Sequence, residues 1–164
     1  MTMTNGTHQR LLAVLAHPDD ESFGPGGTLA LYARRGVEVH LACATGGEAG
    51  DLPPDCDPDT DIGELREKEL RCAAGVLGLS SVTMLGYRDS GMPGSSDNHH
   101  PRCLHAAPVE EVARKIAVLI REIQPQVVIT FDPIGGYRHP DHVAVHHATV
   151  RAMGLARDPS FQSP

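Results

Sequence analysis

The stretch LLAVLAHPDDESFGPGG, residues 11–27, restricts the possible folds more than any other part of the chain. Its apolar run, Leu11 to Ala16, has the length and composition of a strand buried on both faces, which requires covering layers above and below. The run ends abruptly in His17, Asp19, Asp20 and Glu21. Far downstream the strand-like segment PQVVITFDP is followed by GGYRHPDH, so a His-Pro-Asp triplet follows two separate strands. Clustered ionisable groups at the end of a core strand are costly unless something positive occupies them.

The intervening sequence supplies the covering layers. GGTLALYARRG has helical composition and stops at Gly36, and VEVHLACAT alternates as a second strand. The acidic, proline-rich segment 46–61 reads as a surface loop, IGELREKELRCAAGVLGL as a helix and SVTMLG as a third strand. Residues 87–107, rich in Gly, Pro, Ser and His, form another loop. PVEEVARKIAVLIREI, with Pro108 in its first turn, spaces Val109, Val112, Ala113, Ile116, Leu119, Ile120 and Ile123 along one helical face. DHVAVHHATVRAM is the helix after the fourth strand. Alternating strands and helices predict right-handed crossovers: an α/β, Rossmann-like three-layer domain with a mainly parallel sheet. An order such as 3-2-1-4 makes the first and fourth strands neighbours and brings His17 to His142.

Length and charge narrow the function. At 164 residues one domain over the whole chain is expected, and a net charge of −7 gives no basic footprint for nucleic acid or anionic membranes. The start MTMTNGTHQR has no apolar signal region, so the expected location is cytoplasmic. Cys43, Cys56, Cys72 and Cys103 include no C-x-x-C pair, and Cys43 and Cys72 fall in a strand and a helix where buried thiols are common.

His17 and Asp20, three apart in a strand-to-helix turn, suit one divalent ion, and His142 can complete the set from its helix's first turn. Two imidazoles and a carboxylate fit catalytic zinc, although iron(II) accepts such sets too. Asp19 then points elsewhere, either toward a water whose pKa a divalent ion lowers from 15.7 to about 7, or into a helix N-cap. His139, flanked by Asp141, can stabilise a developing oxyanion, and the carboxylate is expected to favour its imidazolium. His146 and His147 read as ordinary surface or capping residues. GPGG at 24–27 is a weak dinucleotide signal without its third glycine, and Ser22 lacks a nucleophile elbow.

AHPDDE at 16–21 together with GGYRHPDH at 135–142 resembles the PIG-L/LmbE family of metal-dependent N-acetylglucosaminyl deacetylases, which includes those of the mycothiol and bacillithiol pathways. The similarity runs from Arg10 to about Met153. It implies His17, Asp20 and His142 as metal ligands, Asp19 as general base, and His139 as the group that stabilises the tetrahedral intermediate, with Asp141 behind it. ATGGEAG, REKEL and GYRDSGM resemble family segments that make Glu48, Arg66 and Asp89 sugar contacts; Tyr137 matches a mobile tyrosine near the scissile carbonyl. Family members continue beyond the second motif with strands that wall the pocket, whereas this chain ends at Pro164, as in a C-terminally truncated form. The expected activity is zinc-dependent removal of an N-acetyl group from a small amino-sugar conjugate. Two other readings stay open: an amidase cleaving a larger acyl group from a thiol conjugate, and an inactive sugar-binding module.

Overall fold

A computed structural model describes residues 9–162; the polar start read from residues 1–8 lies outside the described residues. The chain order is β1 (Arg10–Leu15), α1 (Asp20–Phe23), α2 (Gly26–Arg34), β2 (Glu38–Thr45), α3 (Ile62–Leu77), β3 (Ser81–Tyr87), α4 (Val109–Ile123), β4 (Val127–Ile129), α5 (Gly135–Arg138) and α6 (Pro140–Arg157). Two 3-10 turns, Ser96–His99 and Leu104–Ala106, lie within the loop between β3 and α4. The sheet order is β3-β2-β1-β4, and every pairing is parallel. The fold is therefore the α/β layered architecture that the alternation of apolar runs predicts.

The period-2 geometry of the central strand builds two cores at once. Leu12, Val14 and Ala16 face one side, where Val112, Ala113, Ile116 and Ala117 of α4 pack with Val145, Ala148 and Ala152 of α6. Leu11, Ala13 and Leu15 face the other, against Leu29 of α2 and Leu70 of α3. Leu12, Ala13 and Val14 are essentially inaccessible to solvent, which is why the whole run is apolar. Asp61 caps α3 by accepting the Glu64 N–H at 3.0 Å, and Gly78 closes the helix with a left-handed φ of 76°.

Several local details differ from expectation. Pro108 is the N-cap of α4 and not a first-turn residue, and Val109 is half exposed at the helix start. Only Val127–Ile129 of the fourth segment joins the ladder, because residues 130–134 turn away to carry the loop to the second motif. Cys43 is buried, but Cys72 lies on the exposed face of α3; all four thiols are free.

Candidate metal centre

The strand order sets His17, just past β1, beside the start of α6, which follows β4. Thr45 secures the end of β1, because its backbone N–H and its hydroxyl each donate to the Ala16 carbonyl at 2.9 Å. The next turn is closed by Asp20, whose Oδ2 accepts the His17 N–H at 2.8 Å. His142 stands in the first turn of α6 and is buried.

These three side chains converge. His17 Nδ1 is 3.3 Å from His142 Nε2 and 3.6 Å from Asp20 Oδ2, while His142 Nε2 is 3.4 Å from Asp20 Oδ1. Ligand bonds of about 2.0–2.1 Å in a tetrahedral arrangement separate donors by about 3.3 Å, so the triangle has the dimensions of a three-ligand site with an open position. His139 also offers a nitrogen within 4.8 Å of those of His17 and His142. Its Nδ1, however, accepts the Asp141 backbone N–H at 3.2 Å as the N-cap of α6, which leaves Nε2 to carry the proton of the neutral ring.

Asp141 engages a different histidine from the one expected. Its carboxylate accepts from the Ser90 N–H at 2.9 Å, from the Ser90 hydroxyl, and from His17 Nε2 at 3.1 Å. Asp89 Oδ1 stands 3.3 Å from the same nitrogen. Carboxylates only accept here, so His17 Nε2 bears the proton and Nδ1 is directed at Asp20 and His142. Burial alone would lower the His17 pKa, but Asp141, Asp20 and Asp89 push it up to about 11. Asp20 moves the opposite way: burial would raise its carboxyl, yet His142 and His17 hold it far below the carboxylate range. A cluster this acidic, closed around imidazoles, attracts positive charge.

His139 departs from the expected imidazolium. Burial, followed by the charge on His17, brings its pKa down to about 4 against the opposing pull of Asp141. A cation at the neighbouring ligands acts in the same direction. The neutral ring presents Nε2–H as its donor.

Asp19 adopts φ 112°, a left-handed conformation unusual for a residue with a Cβ, and its side chain makes no cap hydrogen bond. Its Oδ2 instead accepts from Arg66 Nη2 at 2.9 Å. Burial pushes the Asp19 pKa up, Arg66 opposes this, and the neighbouring Asp20 adds to the rise. Glu48 Oε2 accepts the Asp89 N–H at 2.8 Å, and Asp89 is itself buried. Tyr137 is 63 % exposed and sets its ring 5.1 Å from that of His142, in a stretch where Gly135, Gly136 and Arg138 all have positive φ. His146 bonds the Phe131 carbonyl through Nδ1 at 2.8 Å, away from the ligand triangle. Two contributors went unrecognised in the sequence: Ser90, next to Asp89 in GYRDSGM, and Phe131, which stacks on His142 at 3.8 Å. Ser90 carried no metal-ligand spacing to betray it.

Comparisons with known proteins identify the family of the chain. Over 94 % of its length the chain is 46 % identical to a 1D-myo-inositol 2-acetamido-2-deoxy-alpha-D-glucopyranoside deacetylase of Thermomonospora curvata, of which it covers 55 %. It is 51 % identical to the deacetylase of the same name from Kineococcus radiotolerans, over 90 % of this chain and 45 % of the relative. Among solved structures, the N,N'-diacetylchitobiose deacetylase from Pyrococcus horikoshii superposes with a TM-score of 0.76 at 28 % identity, over 93 % of this chain and 52 % of that one. The chain thus spans about half the length of the relatives it matches. The family model described as PIG-L, GlcNAc-PI de-N-acetylase, matches residues 12–153, and with both His-Pro-Asp motifs inside that span the chain belongs to the PIG-L family.

Proposed function

We propose that this chain carries the catalytic centre of a zinc-dependent N-deacetylase acting on a small N-acetylated amino-sugar conjugate. The observation that carries the reading is the His17, Asp20 and His142 triangle, drawn from opposite ends of the chain with donors 3.3–3.6 Å apart. Zn2+ suits this nitrogen-rich set, with Fe2+ as the other candidate. When bound, the ion supplies Lewis acidity to the amide carbonyl and lowers the pKa of water at the site.

The protein's own groups perform the remaining work. Asp19 takes a proton from the attacking water as its oxygen bonds to the carbonyl carbon. His139 donates Nε2–H to the oxygen on which negative charge develops. The C–N bond then breaks, and the proton held by Asp19 passes to the departing nitrogen, giving acetate and the free amine. Asp141 holds the His17 proton on Nε2 and so keeps the other ring nitrogen for coordination. Glu48 and Asp89, from the loops after β2 and β3, are the groups to orient sugar hydroxyls, and the Tyr137 ring lies 5.1 Å from that of His142.

A larger acyl group is favoured by one observation. Beside Asp20 and His142 lies a cleft of about 440 Å3 lined by Leu15, Phe23, Pro25, Ile129, Phe131 and Tyr137. Comparing the release of acetate with that of longer acyl groups from otherwise identical glucosamine conjugates separates the two readings.

The test joins elemental analysis to an assay for free amine. Purified protein should hold close to one transition-metal ion per chain and expose the amine of N-acetylglucosamine conjugates. His142→Ala should lose the ion and the activity while keeping the native fold by circular dichroism. Full metal content in that variant would refute the ligand set, and metal-free protein that still binds amino sugars would favour a binding module.

A further inference from the structure

Resting on the reading of Asp19 as the base, we infer that Arg66 is the positioning residue that fixes the Asp19 carboxylate, acting through that residue and not as a direct contact to sugar. The guanidinium is committed to three partners on two loops. Nη2 donates to the Pro18 carbonyl at 2.6 Å and to Asp19 Oδ2 at 2.9 Å, and Nη1 donates to the Gly47 carbonyl at 2.9 Å. The Arg66 side chain is only 20 % exposed.

The surroundings are shaped for it. A Cβ on Gly47 would lie 2.1 Å from Nη1, and one on Gly50 would lie 3.0 Å from the same atom, so the glycines of GGEAG clear the volume that the guanidinium fills. Gly47 also has φ +72°, so two independent constraints exclude a side chain there. Across from it, Asp19 sits at φ 112° and its backbone N–H donates to Glu21 Oε2 at 3.0 Å. The left-handed backbone aims the carboxylate, and the arginine holds both that carboxylate and the preceding carbonyl. Lysine has one ammonium and cannot bridge three acceptors in a plane.

A base must meet the water at a fixed distance, and displacement by about 1 Å lowers turnover on the order of 10²-fold. Arg66→Ala, Arg66→Lys, Asp19→Asn and the double variant Asp19→Asn/Arg66→Ala are to be compared as metal-loaded proteins, kinetically and by crystallography. Arg66→Ala should lose kcat on the order of 10²-fold with KM within about twofold, and Arg66→Lys should recover only part of it. The double variant should be no slower than Asp19→Asn, because the arginine has nothing left to position. In Arg66→Ala crystals the Asp19 carboxylate should leave its site and its φ should relax from the left-handed region.

A rise in KM at unchanged kcat, or losses that multiply in the double variant, would make Arg66 a substrate contact and overturn the inference. Asp19 unmoved in Arg66→Ala crystals overturns it whatever the kinetics give, and this readout needs no turnover. Wild-type turnover by Asp19→Asn instead removes the assignment of Asp19 as base; the crystal of Arg66→Ala then decides the positioning contact separately.

Discussion

Asp141→Asn separates what this carboxylate does for His17 from what the sequence led us to expect it to do for His139. The side chain is fully buried and accepts three hydrogen bonds, two from Ser90 and one from His17 Nε2 at 3.1 Å. Asparagine keeps the volume but has one accepting oxygen, and its NH2 must face a donor. At least one buried donor is then left unpaired, at about 1–3 kcal/mol. With 1 kcal/mol worth about 2–4 °C in Tm at this chain length, a loss near 2 kcal/mol lowers Tm by about 4–8 °C. For the metal, removal of a partner that orients a ligand costs about 10- to 100-fold in affinity. Asp89 stands 3.3 Å from the same nitrogen and can take over part of the role, which places the expected loss at the lower end, about tenfold. Competition against a chromophoric chelator measures the affinity, and a thermal scan of metal-free protein measures the Tm. Wild-type affinity with turnover lost would refute the reasoning, because it would place the action of Asp141 on His139 and not on His17.

His139→Ala should reduce turnover about 10²- to 10³-fold, the loss of one oxyanion donor, with metal content unchanged. Because the ring's pKa lies at about 4, His139 is neutral throughout the range above pH 5, so any basic limb of the pH–rate profile should survive the substitution; its disappearance would restore the imidazolium. Ile116→Ala, which empties a fully buried site in the α4–α6 layer, should lower unfolding free energy in urea by about 2–5 kcal/mol, and a loss below about 1 kcal/mol would mean that the layer collapses around the gap.

What was legible in the sequence was whatever depends on period and order. The unbroken run Leu11 to Ala16 announced a strand covered on both sides, and the parallel-sheet rules then placed His17 next to His142 without any structural information. What was not legible depends on which atom faces which. Whether Asp141 serves His139, two residues away, or His17, 124 residues away, is decided by the loop after β3 bringing Ser90 against the start of α6. The tautomer of His139 likewise follows from cap geometry at one peptide N–H. Arg66 was expected as a sugar contact from the resemblance of REKEL, and its bonds to Pro18, Asp19 and Gly47 were not legible, because the space cleared for it by Gly47 and Gly50 exists only once α3 packs against the loop after β2.

The adjacency of β1 and β4 has a consequence for how the chain reaches its native state. His17 and His142 are 125 positions apart, and closing a loop of that length costs about 4 kcal/mol of chain entropy before any contact rewards it. No local segment can form the ligand triangle by itself: His17 and Asp20 meet in one turn, but the third donor arrives only when the last strand has docked on the first. Assembly of the site is therefore a late, non-local event governed by topology. An ion that binds only the completed triangle is taken up after the sheet has closed, and by favouring that state alone it draws the two distant ends of the chain together.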